Sequence, residues 1–228
     1  LHTAWHIVDI LICSFRQWLF MELPHLSLTQ FVLYADHGIH SHIVRLLLEE
    51  KQLNYQLVIM EDERSEELAE LNPYRTLPVL VNRDVALYEL TVIFEYLEER
   101  HQSPRLLPSV PSERAKIRQL AWRLQNDWLS QAFILMTHPD SFDEQSALNA
   151  KKSLSDSLVT LAPLFGHKPY FLSDEFGWCD ALLLPLLLRL PEMHINLPTH
   201  LIRPLLEYQD RLFSRPSFIA SIRPMESL

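Results

Sequence analysis

Three histidines, His37, His40 and His42, lie close together in the sequence and are of a type that could hold a metal. A zinc site of histidines needs either cysteine or carboxylate partners at ligand spacing or two histidines four apart on one helix face. This trio has neither, so it is expected to be a polar loop and helix start, with no metal site. The two cysteines, Cys13 and Cys179, give no disulfide framework and no ligand spacing, which points to a reducing compartment. The acids Glu61, Asp62, Glu63, Glu66 and Glu67 read as a solvated face that a basic partner could meet. The remaining feature is Leu77-Pro78, a proline leading into the apolar run Val79-Leu80-Val81. A proline opens a strand without needing an N–H of its own, and X-Pro bonds alone reach the cis geometry cheaply.

The elements around that proline alternate. Gln30 to Tyr34 reads as a buried strand, and Ser41 as the N-cap of a helix running to about Lys51. Ile43, Leu46 and Leu47 give that helix an apolar face at i, i+3, i+4. Tyr55–Ile59 is a second strand, and Ser65–Leu71 a short acidic helix ending at Asn72-Pro73. Val79–Val81 and Ala86–Tyr88 flank the hairpin connection Asn82-Arg83-Asp84, and Thr91–Arg100 follows as a helix with Ile93, Tyr96 and Leu97 inward. This βαβαββα order on one sheet is the thioredoxin-like pattern.

The prolines between His101 and Pro111 break all periodicity and predict a linker at residues 102–112. Only helical signals follow over residues 113–228. Glu113–Thr137 carries Leu120, Leu124, Trp128 and Phe133, and Asp143 to about Phe165 carries Leu154, Leu158 and Leu161. Cys179–Leu190 is apolar all round, as the buried centre of a domain must be, and contains Pro185. Thr199–Ser214 and Pro216–Ile222 close the chain as surface helices. The expected organisation is an α+β thioredoxin-like domain at residues 29–101 followed by an all-α domain. Residues 1–28 are expected to be an extension, non-native or disordered before Met21. The apolar run Trp5–Phe20 is too short and too polar to span a bilayer, being interrupted by Asp9, Arg16 and Gln17.

Composition narrows function. With 29 acids against 20 bases the net charge is −9, which disfavours direct, sequence-independent binding to nucleic acid. A hydrophobic fraction of 48% with 21% charge is that of an ordinary globular protein.

The element order with its strand-opening proline resembles the glutathione transferase superfamily. Within it, Leu161-Ala-Pro-Leu-Phe-Gly-His-Lys-Pro-Tyr-Phe-Leu-Ser-Asp-Glu-Phe176, then Cys179-Asp180 and Arg189-Leu190-Pro191, resembles the stringent starvation protein A family, whose members are RNA polymerase-associated bacterial regulators. His40-Ser-His-Ile-Val-Arg45, Tyr96-Leu-Glu-Glu-Arg100 and Leu106-Leu-Pro108 match the same family. The resemblance implies the two-domain glutathione transferase fold, a cytoplasmic homodimer, and contacts with the polymerase holoenzyme and its housekeeping sigma factor. It implies no membrane association and no sequence-specific DNA binding. The family's pocket falls on Gln102, Ser103 and Pro104, followed by Leu107 and Pro108. Of the usual Pro-His-Pro segment only Pro104 is kept.

The superfamily also sets what conjugation of glutathione would require. The Ser- and Cys-type enzymes place their thiol-activating side chain seven residues before the arginine matching Arg45, which here is Gly38. The Tyr-type enzymes place a phenol eleven before it, and that is Tyr34. The Glu-Ser pair that holds the γ-glutamyl group appears as Glu89-Leu90, where leucine has no hydroxyl to offer. Leu77, Pro78, Glu89 and Leu90 are therefore expected to be vestigial, with no cofactor and no catalytic residue. The alternatives are a glutathione-dependent transferase using Tyr34 and a dimeric small-molecule sensor. Asp180 matches the superfamily's helix-capping aspartate, with Gly177 at the N-cap.

Overall fold

The computed structural model describes residues 30–60, 66–136 and 143–226; the expected extension at residues 1–28 and the acids Glu61, Asp62 and Glu63 lie outside them. The chain divides into two compact units, Leu1–Arg100 and His101–Leu228.

In the first unit the strands are β1 (Phe31–Ala35), β2 (Tyr55–Ile59), β3 (Val79–Val81) and β4 (Ala86–Leu87), and the helices α1 (Ile39–Glu50), α2 (Glu66–Leu71) and α3 (Leu90–Arg100). They form one mixed sheet in the order β2-β1-β3-β4. β1 pairs with β2 in parallel, as a βαβ crossover requires, and with β3 antiparallel in the register Tyr34↔Val79. Side chains alternate between faces along each strand. Val32, Val79 and Val81 pack with Leu68 of α2 and Ala86, while Leu33, Ala35 and Leu80 alternate to the other face and are equally buried.

α1 begins three residues earlier than its sequence indicates. Gly38 is the N-cap, and Ser41 lies fully buried inside the first turn. Not only Ile43, Leu46 and Leu47 but also His42 and Arg45 are buried, so this helix has no wet face of the usual width. At its C-terminus Lys51, fully buried, forms an ion pair of 2.8 Å with Glu98 of α3.

The second unit is helical. What reads in sequence as one helix from Glu113 is α4 (Pro111–Arg123), a π-helical stretch Leu124–Leu129, and α5 (Ser130–Met136). A π turn moves each acceptor one residue further back, leaving carbonyls without their usual partners. The side chains of Gln125 and Asn126 donate to the carbonyls of Ala121 (3.3 Å) and Trp122 (2.8 Å), and Ser130 donates to that of Asn126. These polar residues hold the turn while Leu124, Trp128 and Leu129 stay buried.

α6 (Glu144–Leu161) is capped by Asp143, whose carboxylate accepts from the Ser146 N–H at 2.9 Å, and it runs into a 3₁₀ segment, Ala162–Gly166. α7 (Trp178–Leu188) is the apolar centre its composition demands, with ten residues buried. α8 (Arg203–Phe213) and α9 (Pro216–Glu226) finish the chain. Among the described residues no helix is long and apolar enough to cross a membrane.

Asp180 joins four parts of this unit. One carboxylate oxygen accepts from the Phe171 N–H (2.8 Å) and the Tyr208 hydroxyl (2.7 Å), the other from the Gly177 N–H (2.9 Å). Gly177 has no side chain, so of the reciprocal capping arrangement only the aspartate half exists. The ring of Phe165 contacts those of Phe171 and Tyr208 at 4.8 and 4.9 Å.

Candidate functional site

The antiparallel register of β1 and β3 sets the residues following Ala35 beside Leu77 and Pro78. The Leu77-Pro78 bond is cis. The loop leading to it is tied by Asn72, which is fully buried. Its side-chain amide donates to the carbonyl and hydroxyl of Thr76 (2.8 and 2.9 Å) and accepts from the Tyr74 N–H (2.9 Å). Its own carbonyl accepts from Arg75, which sits in the left-handed region at φ 53°. Asn72 had no sequence signal beyond being a turn former.

At the start of α1 the Asp36 carboxylate closes a small ring. One of its oxygens accepts from the Gly38 N–H (2.9 Å) and the Ser41 hydroxyl (2.5 Å), and Ser41 Oγ accepts from the Asp36 N–H (3.1 Å). Arg45 Nη1 reaches the Asp36 carbonyl at 3.5 Å. Ser41 therefore serves Asp36 inside the helix. At the start of α3, Glu89 accepts from the N–H groups of Thr91 (2.8 Å) and Val92 (3.0 Å), an acidic cap of the kind the helix dipole favours. Leu90, the first residue of α3, is buried. Glu89 thus caps the helix through one carboxylate oxygen, and Leu90 packs at its first turn.

Tyr34 lies on the α2 face of the sheet, partly buried in the cluster around Leu68 and Val79. Burial raises its phenol above the ordinary value, and its hydrogen bond to the Glu67 carboxylate and the charge of that group raise it further.

Of the three histidines, His40 belongs to this corner. Burial lowers its pKa, opposed by the Asp36 and Glu89 carboxylates. A histidine depressed in the fold contributes stability that is complete above its ordinary value of about 6.5 and is lost as pH falls through the lower folded value. The melting temperature of the full chain is accordingly expected to hold between pH 7 and 8 and to fall below about pH 6. In His40→Gln that fall is flattened, as thermal unfolding by circular dichroism would show. Among the described residues no three His, Cys, Asp or Glu side chains are grouped to hold a metal ion.

In the helical unit, Gln102, Ser103 and Pro104 are exposed, with a cis Ser103-Pro104 bond and a hydrogen bond from Arg105 to the Gln102 side chain at 3.2 Å. Leu107 is buried and Pro108 half-buried. These last two line a groove of about 690 Å³ together with Ile117 and Leu120 of α4 and the loop around Phe171 and Phe176; Gln102, Ser103 and Pro104 are not part of its lining. The loop wall is braced by Arg215, whose guanidinium lies 4.3 Å from the centre of the Phe176 ring and donates to Tyr170 Oη at 3.1 Å. Cys179 is buried at the floor, and burial pushes its thiol well above the reactive range.

Comparison with known proteins agrees with this architecture. Residues 39–100 match the glutathione S-transferase N-terminal domain and residues 126–216 the glutathione S-transferase C-terminal domain. A stringent starvation protein A homologue from Coxiella burnetii is 37% identical over 190 residues, covering 83% of this chain and 89% of that protein. One from Pasteurella multocida is 37% identical over 192 residues, with coverage of 83% and 89%. A probable glutathione S-transferase, parC, from Nicotiana tabacum is 32% identical over 146 residues, 62% of this chain and 64% of that protein. Among solved structures, a glutathione transferase homologue from Sulfitobacter with bound glutathione superposes with a TM-score of 0.75 at 19% identity, covering 88% of this chain and all of that one. The thioredoxin-like and helical units, the cis-proline at β3 and the match along most of the chain place this protein in the stringent starvation protein A family of the glutathione transferase superfamily.

Proposed function

We propose that this protein is a non-enzymatic regulator of transcription under stress or starvation, binding bacterial RNA polymerase holoenzyme and its housekeeping sigma factor through protein contacts. The observation that carries this reading is the state of the corner beside Pro78. Gly38 stands where the related enzymes carry a thiol-activating side chain, Leu90 where they carry a hydroxyl, and Glu89 and Tyr34 are engaged with α3 and Glu67. Charge supports it. Residues 1–100 hold 16 acids and 7 bases, giving −9, while residues 101–228 hold 13 of each. A protein with its excess negative charge in one unit suits a basic protein surface better than DNA phosphates. A cytoplasmic homodimer belongs to the same reading; Val92, Trp122 and Phe133, 49%, 62% and 55% exposed, are side chains a second copy would cover.

The experiment is affinity for purified holoenzyme with Gln102, Ser103 and Pro104 all changed to alanine. A loss of tenfold or more supports the contact at this exposed segment. Unchanged affinity moves the contact to another surface.

A further inference from the structure

Gly177 stands where a helix usually carries a capping side chain, and the strap at residues 105–109 accounts for its absence. Leu106 and Leu107 are buried, and the Leu106 carbonyl accepts from the Trp178 N–H at 3.0 Å. The strap thereby satisfies one of the orphan donors at the start of α7. A Cβ on Gly177 would stand 3.2 Å from that same carbonyl oxygen, tighter than side chains normally approach. The obstacle is backbone rather than a yielding side-chain tip. At φ −144° the Gly177 backbone is extended, so no turn calls for glycine here. What calls for it is the close approach of the strap. On one side of this pin Arg105 donates to the Gln102 side chain at 3.2 Å, tying down the exposed segment 102–104. On the other, Arg114 of α4 donates to the Ser109 carbonyl at 3.1 Å.

We infer that Gly177 is a positioning residue for partner binding: its bare α-carbon lets the strap lock onto α7 and so holds Gln102, Ser103 and Pro104 in the form presented to the polymerase. The inference rests on the regulator reading above and adds a control point outside the contact itself. A loose segment must be ordered when its partner binds, and fixing it beforehand removes that cost.

The test takes two measurements on the full-length protein: the rate at which trypsin cuts after Arg105, and affinity for purified holoenzyme. Wild type, Gly177→Ala and Gly177→Ser are compared, each with segment 102–104 native and with its three residues changed to alanine. Both variants are expected to be cut about fivefold faster and to bind about fivefold more weakly, the loss of one hydrogen bond, with unchanged circular dichroism. With the segment already alanine, no further loss of affinity is expected. Serine caps a helix well and alanine poorly, so a role in helix stability alone would move the two variants in opposite directions. That outcome overturns the positioning role, as does unchanged cleavage, or faster cleavage at unchanged affinity; each leaves the regulator reading standing. Wild type that does not bind holoenzyme removes both, and shows itself without any substitution. Gly177→Ser keeps a capping side chain, so it decides the matter if Gly177→Ala fails to fold.

Discussion

Asp180→Ala is expected to cost about 3–5 kcal/mol, a large share of the stability of an ordinary marginally stable protein. The carboxylate is 1% exposed and accepts from two backbone N–H groups and one phenol. Removing it orphans two buried donors, the Phe171 N–H and the Tyr208 hydroxyl, and the half-buried Gly177 N–H, and each buried orphan costs about 1–3 kcal/mol. Burial pushes the Asp180 carboxyl up, and the bonds from Phe171, Tyr208 and Gly177 pull it back without cancelling the rise. Asp180→Asn keeps one oxygen but turns an amide N–H toward the Gly177 N–H or the other donors, so its loss should be intermediate. Tyr208→Phe removes a single bond at constant shape and should cost about 1 kcal/mol. Urea unfolding followed by fluorescence would rank the three. Asp180→Ala no more destabilised than Tyr208→Phe would show that the carboxylate is not the junction its bonds describe.

The second large effect is in the thioredoxin-like unit. Glu98→Ala is expected to destabilise it by about 3–5 kcal/mol, because it leaves the Lys51 ammonium, whose side chain is 0% exposed, without its carboxylate. Lys51→Met should cost less, since Glu98 keeps 10% of its surface and can reach water. The double variant Lys51→Met/Glu98→Leu should recover much of the loss, because well-packed apolar replacements of a buried pair are often neutral or better. A double-mutant cycle in denaturant measures the coupling directly; additive losses would contradict it.

Neither junction was equally legible in the sequence. The apolar face of α1, the all-apolar α7 and the strand-opening proline were read correctly because burial imposes periodicity and Pro78 announces itself by type. The Lys51–Glu98 pair was not, since residues 47 apart carry no sequence signal of contact. Ser41 reads as a helix cap by its type, yet the N-cap is Gly38, with no side-chain cap, and Asp36 accepts from the Gly38 N–H and the Ser41 hydroxyl. An aspartate two residues before a glycine could have indicated this, because aspartate commonly bonds the backbone two residues on. The π turn escaped because its helical pattern differs from an α-helix by a single residue. Within the site, Tyr34 is placed by its spacing from Arg45 and Glu89-Leu90 by likeness to the superfamily's Glu-Ser pair, whereas their local partners, Glu67 and the N–H groups of α3, required coordinates.

The most direct test is co-elution of this protein with purified RNA polymerase holoenzyme on a sizing column at micromolar concentration, with core polymerase lacking sigma factor alongside. The account predicts co-elution with holoenzyme that is weakened when sigma factor is absent. A folded protein that elutes apart from both forms of the polymerase would contradict it.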